Sequence, residues 1–210
     1  MSGFFKNMFG KKEGPRTISS ATELQVGDFV QFTDSFGLPE DIRGQSFEIQ
    51  KIHTYEFEHD RVTEYLVQGT GETFYLSVEE ENDEEFIAIS KRVNHNLIEE
   101  IFNVDEFCAQ FETKAPSPFN TQSKPAPLTD YLADAYKIEI QGQRGFYHLG
   151  DHRGQTSIEE EGEPFDYYFF TGSDDKFAID ATVYGNGETE VSATLYRPLT
   201  DIESMWPKAN

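Results

Sequence analysis

Residues 64–89 read EYLVQGTGETFYLSVEEENDEEFIAI, and this stretch decides the fold class. Apolar side chains recur at every second position in Phe74, Leu76 and Val78, and the aromatic and β-branched residues that strands favour are abundant. A glycine-containing segment and an Asn-Asp pair separate three such runs. Short connections of this kind join antiparallel neighbours, so the stretch predicts an antiparallel β-meander.

The second half of the chain repeats this order of elements. Residues 166–181 read DYYFFTGSDDKFAIDA, again two strand-like runs around a turn with glycine. Each half then ends in a short predicted helix with an apolar stripe, at 96–102 and at 200–206, which begins with a capping-box pair: Asn96 with Glu99 and Thr200 with Glu203. The sequence predicts a mainly β fold with a minor α component: two similar, pseudo-duplicated antiparallel β-meander domains, each closed by a short C-terminal helix. In this alignment Tyr65 corresponds to Tyr167; the alternative is that generic hairpins followed by a helix look alike by chance.

The sequence divides into four predicted parts. Residues 1–16 form a basic, aromatic tail, 17–112 the first β-rich copy and 130–210 the second. The segment 113–129 between the copies contains four prolines among Ser, Asn, Gln and Lys. Proline has no N–H for a sheet ladder and resists helix interiors, so this segment is predicted to be an extended linker.

Charge and composition restrict the possible partners. The chain has 17 basic and 39 acidic residues, a formal net charge of −22. Such a surface repels nucleic-acid phosphates, so no nucleic-acid partner is predicted. The N-terminus has no signal-peptide core and no apolar run is long enough to span a bilayer, which predicts a cytoplasmic protein. Cys108 lies in an apolar run and is predicted to be an inert packing residue.

Several short motifs lie in the first predicted copy. They are Gly27-Asp28-Phe29-Val30, Phe47-Glu48-Ile49, Thr63-Glu64-Tyr65-Leu66 and Phe74-Tyr75-Leu76-Ser77-Val78. Together they resemble the uncharacterised bacterial family DUF 4178 over roughly residues 24–92. Members of that family are encoded beside phage-shock-like PspA proteins, so the resemblance implies a role in envelope or membrane stress. It carries over no catalytic residue.

Candidate site chemistry is limited to one histidine-containing loop. His148, Asp151 and His152 bring two imidazoles and a carboxylate together, ligand types that suit zinc. Gly150 breaks the helix that would align the histidines, and Arg153 adds a positive charge. The sequence therefore assigns no metal and no cofactor, although these three residues stay candidates for a metal. No Gly-rich phosphate loop, nucleophile elbow or Cys-His pair supports a catalytic residue.

Acidic runs at 79–81, 83–85 and 159–161 fall in predicted turns. They lack the alternation and central glycine of a calcium-binding loop. They are predicted to be solvated hairpin tips that discourage edge-to-edge association of strands.

The tail is the segment with a mechanism for localisation. Its apolar side chains cluster at helical spacing near three lysines, as in a short helix lying on a membrane surface. A helix this short is marginal alone, so a disordered start or a segment docked on the body are the alternatives. The predicted membrane or partner contacts are Phe4, Phe5, Phe9, Lys6, Lys11 and Lys12.

These features predict a non-enzymatic interaction or scaffold module that binds a protein partner, cytoplasmic and peripheral at the inner membrane. The aromatic run from Tyr167 to Phe170 is a candidate binding face, although such a run is also typical of a strand buried on both faces. The alternative function is an acidic inhibitor or immunity-type protein whose carboxylates occupy a basic partner.

Overall fold

A computed structural model describes residues 16–81, 84–112, 114, 116–159 and 161–209 of the chain. Within these ranges the chain forms eleven strands, two α-helices and three short 310 turns. The helices are α1 (His95–Ile101) and α2 (Val104–Glu112). The strands are β1 (Phe29–Phe32), β2 (Ser46–Phe57), β3 (Arg61–Gln68), β4 (Thr73–Glu81), β5 (Glu84–Arg92), β6 (Phe119–Asn120), β7 (Ala135–Leu149), β8 (Glu163–Gly172), β9 (Phe177–Tyr184), β10 (Thr189–Pro198) and β11 (Ile202–Trp206).

The strands form one antiparallel sheet that closes on itself. Its order is β11-β1-β2-β3-β4-β5-β10-β9-β8-β7-β6. A further pairing, from His53 with Leu149 to Phe57 with Gly145, joins β2 to β7. This pairing closes β2 to β5 and β7 to β10 into a ring of eight strands. Such a ring encloses a space wide enough for side chains or for one small ligand. We call this enclosed space the lumen.

Most of the apolar core lies on the outer face of the ring. Successive side chains of a strand point to opposite faces, and in β5 Ile87 and Ile89 are fully buried on the outer side. The rings of Phe32, Phe47 and Phe74 pack edge to face, with centroids 4.8 to 5.9 Å apart. We call this layer the outer core. It also includes Val67, Leu76, Phe102, Phe107, Phe170, Ile179 and Leu195.

The predicted mainly β, antiparallel fold with a minor helical component is confirmed. Both predicted β-rich blocks contribute four strands to the ring, β2 to β5 from the first and β7 to β10 from the second. They share one sheet because β5 pairs with β10, with Leu195 opposite Ile89 at the seam. The first predicted helix is present as α1, but its predicted cap, Asn96, is wrong. The helix begins two residues earlier, after Asn94, whose side chain accepts a hydrogen bond from the Leu97 amide at 3.0 Å.

The second predicted helix, at 200–206, is wrong. Leu199–Asp201 forms a 310 turn, and the residues after it form β11, which pairs with β1. Trp206 lies opposite Phe29, and the two rings stack with centroids 5.7 Å apart. An unpaired edge of β1 is available at this point, so tertiary pairing outweighs the local helical pattern.

The predicted correspondence of Tyr65 with Tyr167 is also wrong. Tyr65 is buried on the outer face, where it pairs across the ladder with Leu76. Tyr167 lines the lumen, and it is Phe170 that lies opposite Ile179 on the outer face. A shift of one residue moves a strand side chain to the other face, so the repeat must be aligned by face rather than by residue type.

The predicted linker at 113–129 is not simply extended in its described part. It contains β6, which pairs with the start of β7, and a 310 turn at Ala126–Tyr131. Phe119 is 2% exposed and contacts the rings of Phe102 and Tyr136 with centroid distances of 5.3 and 5.8 Å. Large apolar side chains therefore anchor this proline-containing segment to the outer core.

Candidate functional site

The lumen contains a cavity of about 640 Å³ that all eight strands of the ring line. Its wall combines aromatic rings, hydroxyl groups and carboxylates, whereas the outer face of the same strands is apolar. The cavity volume lies within the range of small-molecule sites in proteins, roughly 300 to 1,000 Å³. The lining residues discussed below are Tyr55, Phe57, Asp60, Arg61, Glu64, Ser77, Glu79, Glu80, Ser90, Arg92, Tyr167, Phe169, Asp180, Thr182, Thr194 and Tyr196.

The floor of the cavity is organised by Arg92 at the end of β5. Its guanidinium donates to the Ser192 hydroxyl, and Nη2 donates to the Tyr55 hydroxyl at 3.0 Å. The same nitrogen lies 3.3 Å from a carboxylate oxygen of Glu64 and 3.5 Å from one of Glu190. We call these five residues the Arg92 cluster. The carboxylates, led by Glu64, raise the pKa of Arg92 against the effect of burial, so its charge is permanent and already balanced.

Aromatic side chains close the end of the lumen beyond the Arg92 cluster. The ring of Tyr147 lies 5.5 Å from His53, 5.3 Å from Tyr55 and 6.2 Å from Tyr184, measured between centroids. The ring of Phe165 lies beside them, 5.7 Å from that of Tyr55 between centroids. The cavity therefore extends from the Arg92 cluster toward the opposite end of the ring.

Two carboxyl groups face the cavity above its floor. Asp180 on β9 accepts a hydrogen bond from the Thr194 hydroxyl at 3.1 Å, and that hydroxyl lies 2.8 Å from the hydroxyl of Ser90. Burial raises the pKa of Asp180 to about 7, although Arg92 opposes this shift. Glu79 on β4 accepts from the neighbouring Ser77 hydroxyl at 3.1 Å, and burial raises its pKa as well.

The open end of the cavity is rimmed by charged and aromatic residues. Asp60 and Glu80 are exposed there. Arg61 also lies at this end, but its guanidinium donates to Glu56 on the outer side of the sheet, from Nε at 2.9 Å. Phe57 and Tyr167 pack edge to face at 5.5 Å and form part of the wall below the rim.

The structure places the three candidate metal ligands against separate partners. His148 lies 3.3 Å from a carboxylate oxygen of Glu56, while His152 contacts the Leu149 carbonyl at 3.0 Å. The carboxylate of Asp151 is bound by Arg153. Among the residues that the structure describes, no group of three or more His, Cys, Asp or Glu side chains is placed to hold a metal ion.

The remaining predicted contact residues fall in two places. Phe4, Phe5, Phe9, Lys6, Lys11 and Lys12 lie outside the described residues. The aromatic run of β8 contributes to both faces of the sheet: Tyr167 and Phe169 line the lumen and are half-buried, whereas Phe170 is fully buried in the outer core and the half-buried Tyr168 packs against it. The run therefore forms neither one exposed face nor a strand that is fully buried on both sides.

The residues that make the cavity distinctive were not identified from the sequence. The sequence pattern predicts a solvated turn for Glu79, and it does not distinguish Arg92 or Asp180 from residues on an exposed strand face. The available signal was polar residues at alternate positions of otherwise apolar strands, such as Ser90 and Arg92 in β5. That pattern is also typical of a solvent-exposed face, and only closure of the sheet distinguishes the two.

Comparisons with known proteins add no identification. No protein-family model matches the chain, and neither the curated proteins nor the solved structures contain a match. Within the described residues, no helix is both long and apolar enough to cross a membrane.

Proposed function

We propose that this protein binds a small molecule in the lumen of its closed sheet. The observation that carries the proposal is the cavity of about 640 Å³ lined from all eight strands. The interior of an eight-stranded ring can be filled completely by side chains, but here it contains a cavity that opens at one end. Here the dense packing lies in the outer core, and the inner face of the ring is left for a ligand.

The cavity wall also has the composition of a binding site. Such sites combine apolar and aromatic surface with a small number of well-placed polar groups. Phe57 and Phe169 supply the apolar surface, while Ser77, Thr182 and Asp180 present polar groups. The Arg92 cluster gives the site a rigid floor because its hydrogen bonds connect β2, β3, β5 and β10.

An uncharged fluorescent dye, N-phenylnaphthylamine, tests this proposal. Its emission rises when it leaves water, so we expect saturable enhancement with the native protein. Val62→Phe places a larger side chain in the cavity, which Val62 lines, and we expect it to weaken dye binding at least tenfold. The matched control is Val183→Phe on β9, where the half-buried side chain does not line the cavity. Equal dye binding by both variants would contradict the proposal.

The partner functions predicted from the sequence stand as separate proposals. The interaction module at the membrane depends on residues 1–12, and the acidic inhibitor depends on the net charge of −22. Loss of liposome association after deletion of residues 1–12 would support the first. Salt-sensitive capture of a basic protein would support the second. A duplicated origin of the two four-stranded halves is also proposed, since each contributes one antiparallel meander to the ring.

A further inference from the structure

We infer that the ligand of the lumen is a small organic cation, such as an alkyl or arylalkyl ammonium compound. This inference rests on the proposed function and specifies the chemical class of ligand for the same site. It depends on the balance of charge within the cavity and on the aromatic rings of its wall.

The charges of the cavity do not cancel. Arg92 is shared between the carboxylates of Glu64 and Glu190, at 3.3 and 3.5 Å. Asp180 and Glu79 remain, and among the described residues neither has a cationic side chain within ion-pair distance. A carboxylate removed from bulk water without a cationic partner is unfavourable, and a bound ammonium group would supply that partner.

The basic groups near the cavity are not placed to bind an anion. The guanidinium of Arg92 donates to Ser192, Tyr55 and Glu64. Arg61 at the rim is engaged by Glu56. Among the residues described, the buried Nε of Arg92 has no hydrogen-bond partner, but Nη1 and Nη2 are occupied by Ser192, Tyr55 and Glu64. An anionic ligand would meet the carboxylates of Asp180 and Glu79 with only this one N–H of Arg92 left, so the electrostatics of the cavity favour the opposite charge.

Aromatic rings of the wall provide a second attraction for a cation. Phe57, Tyr167, Phe169 and Tyr196 line the cavity, and the negative faces of aromatic rings attract ammonium groups within about 6 Å. The lumen already contains one such contact, since the guanidinium carbon of Arg92 lies 4.3 Å from the centroid of Tyr75. Rings of this kind also accommodate the hydrocarbon part of the ligand.

Cation binding should be linked to proton release. The groups that face Asp180 are Arg92 on β5, Glu64 on β3, Glu79 on β4 and Tyr167 on β8. With these neighbours and its burial, the pKa of Asp180 is about 7, so part of the population is protonated near neutrality. An ammonium group beside the carboxyl favours the ionised form. We therefore expect the affinity for a cation to rise as the pH increases through 7.

The test compares phenylbutylamine, phenylbutanol and phenylbutyrate as competitors of N-phenylnaphthylamine. The three share one hydrocarbon part and differ in charge. We expect the amine to displace the dye at a concentration about tenfold lower than the alcohol, and the carboxylate to be the weakest competitor. The amine keeps its charge from about pH 5.5 to about pH 8, so an increase in its affinity over that range reports the ionisation of the carboxyl groups in the cavity.

Two substitutions test whether Asp180 is the carboxyl group that binds the amine. Asp180→Asn removes a charge from the cavity while its side-chain oxygen can still accept from Thr194, and we expect it to weaken amine binding about tenfold more than it changes alcohol binding. Asp166→Asn is the matched control, because Asp166 lies on the outer side of β8 beside Arg144, 3.6 Å away.

The outcomes separate the two proposals. One outcome is that Val62→Phe abolishes dye binding while the alcohol or the carboxylate displaces the dye as well as the amine does, or better. That result would retain the lumen as a binding site but would contradict the inference that its ligand is a cation. If Asp180→Asn leaves the preference for the amine unchanged, the assignment of cation binding to the Asp180 carboxyl group is wrong. Absence of dye binding by the native protein would refute the proposed function itself.

Discussion

The two faces of the closed sheet are built from alternate residues of the same strands, yet their properties are opposite. In β9 the outward side chain of Ile179 is fully buried in the outer core, whereas the inward side chain of Asp180 faces the cavity. In β5 the same contrast holds between Ile89 and Arg92. The difference indicates that the outer core provides most of the stability of the fold. The lumen can therefore carry buried polar groups that a packed interior would not tolerate.

Truncation of one large ring on each face should show this division most strongly. Phe74 is fully buried in the outer core, 4.8 Å from Phe47 between ring centroids, so Phe74→Ala should lower the free energy of unfolding by about 3 to 5 kcal/mol. Phe169→Ala removes a ring from the cavity wall and should cost about 1 kcal/mol, since solvent already reaches that side chain. Urea unfolding measures both values. Equal losses would show that the lumen is part of the structural core.

The Arg92 cluster is the exception to this division, because its charges connect four strands inside the lumen. Arg92→Met would leave the carboxylate of Glu64 half-buried without its cation, and we expect a loss of roughly 2 to 3 kcal/mol. Adding Glu64→Gln should recover part of that loss, since the double variant removes both charges. A double-mutant cycle measured by urea unfolding checks this expectation. Independent, additive effects of the two substitutions would refute the coupling.

The ionisation of Asp180 should make the lumen a source of instability at high pH. Burial raises the folded-state pKa of this group to about 7 from the ordinary value of 3.8. The stabilising contribution of the protonated form is therefore complete below about pH 4 and is lost as the pH rises through 7. Asp180→Asn should make the protein more stable than the native chain by on the order of 2 kcal/mol at about pH 8, and this gain should vanish near pH 4. Thermal or urea unfolding at both pH values tests the sign.

Much of the fold could be predicted from the sequence, because alternation and turn residues are local signals. The strands around Phe74 and Ile179 and the presence of helix α1 follow from such patterns, although the first residue of that helix does not. The strand at Ile202–Trp206 could not be predicted, since it depends on the free edge of β1, which lies far away in the sequence. Local preference for a helix was overridden by a non-local ladder.

The candidate site was less predictable for a physical reason. Alternation shows which strand residues share a face, but not whether the polar face meets solvent or an enclosed space. The polar side chains of β5 and β9 become a cavity wall only because β2 pairs with β7. Nothing in the local sequence of β7 specifies that pairing. Prediction of Glu79 as a hairpin tip failed in the same way, because the residue lies at the inner face of the ring.

The smallest expected effect is that of substituting Cys108, which lies at the exposed edge of the outer core. Cys108 was predicted to be a packing residue, but it is exposed, whereas its neighbour Phe107 is 5% exposed and stacks on Phe102 at 5.2 Å. Cys108→Ser should change the free energy of unfolding by less than about 0.5 kcal/mol, while Phe107→Ala should cost about 3 kcal/mol. The native thiol should also react rapidly with an aromatic disulfide reagent without prior unfolding. Slow reaction, or a loss of unfolding free energy in Cys108→Ser close to that in Phe107→Ala, would contradict this prediction. It would show that the side of α2 that carries Cys108 is also part of the outer core.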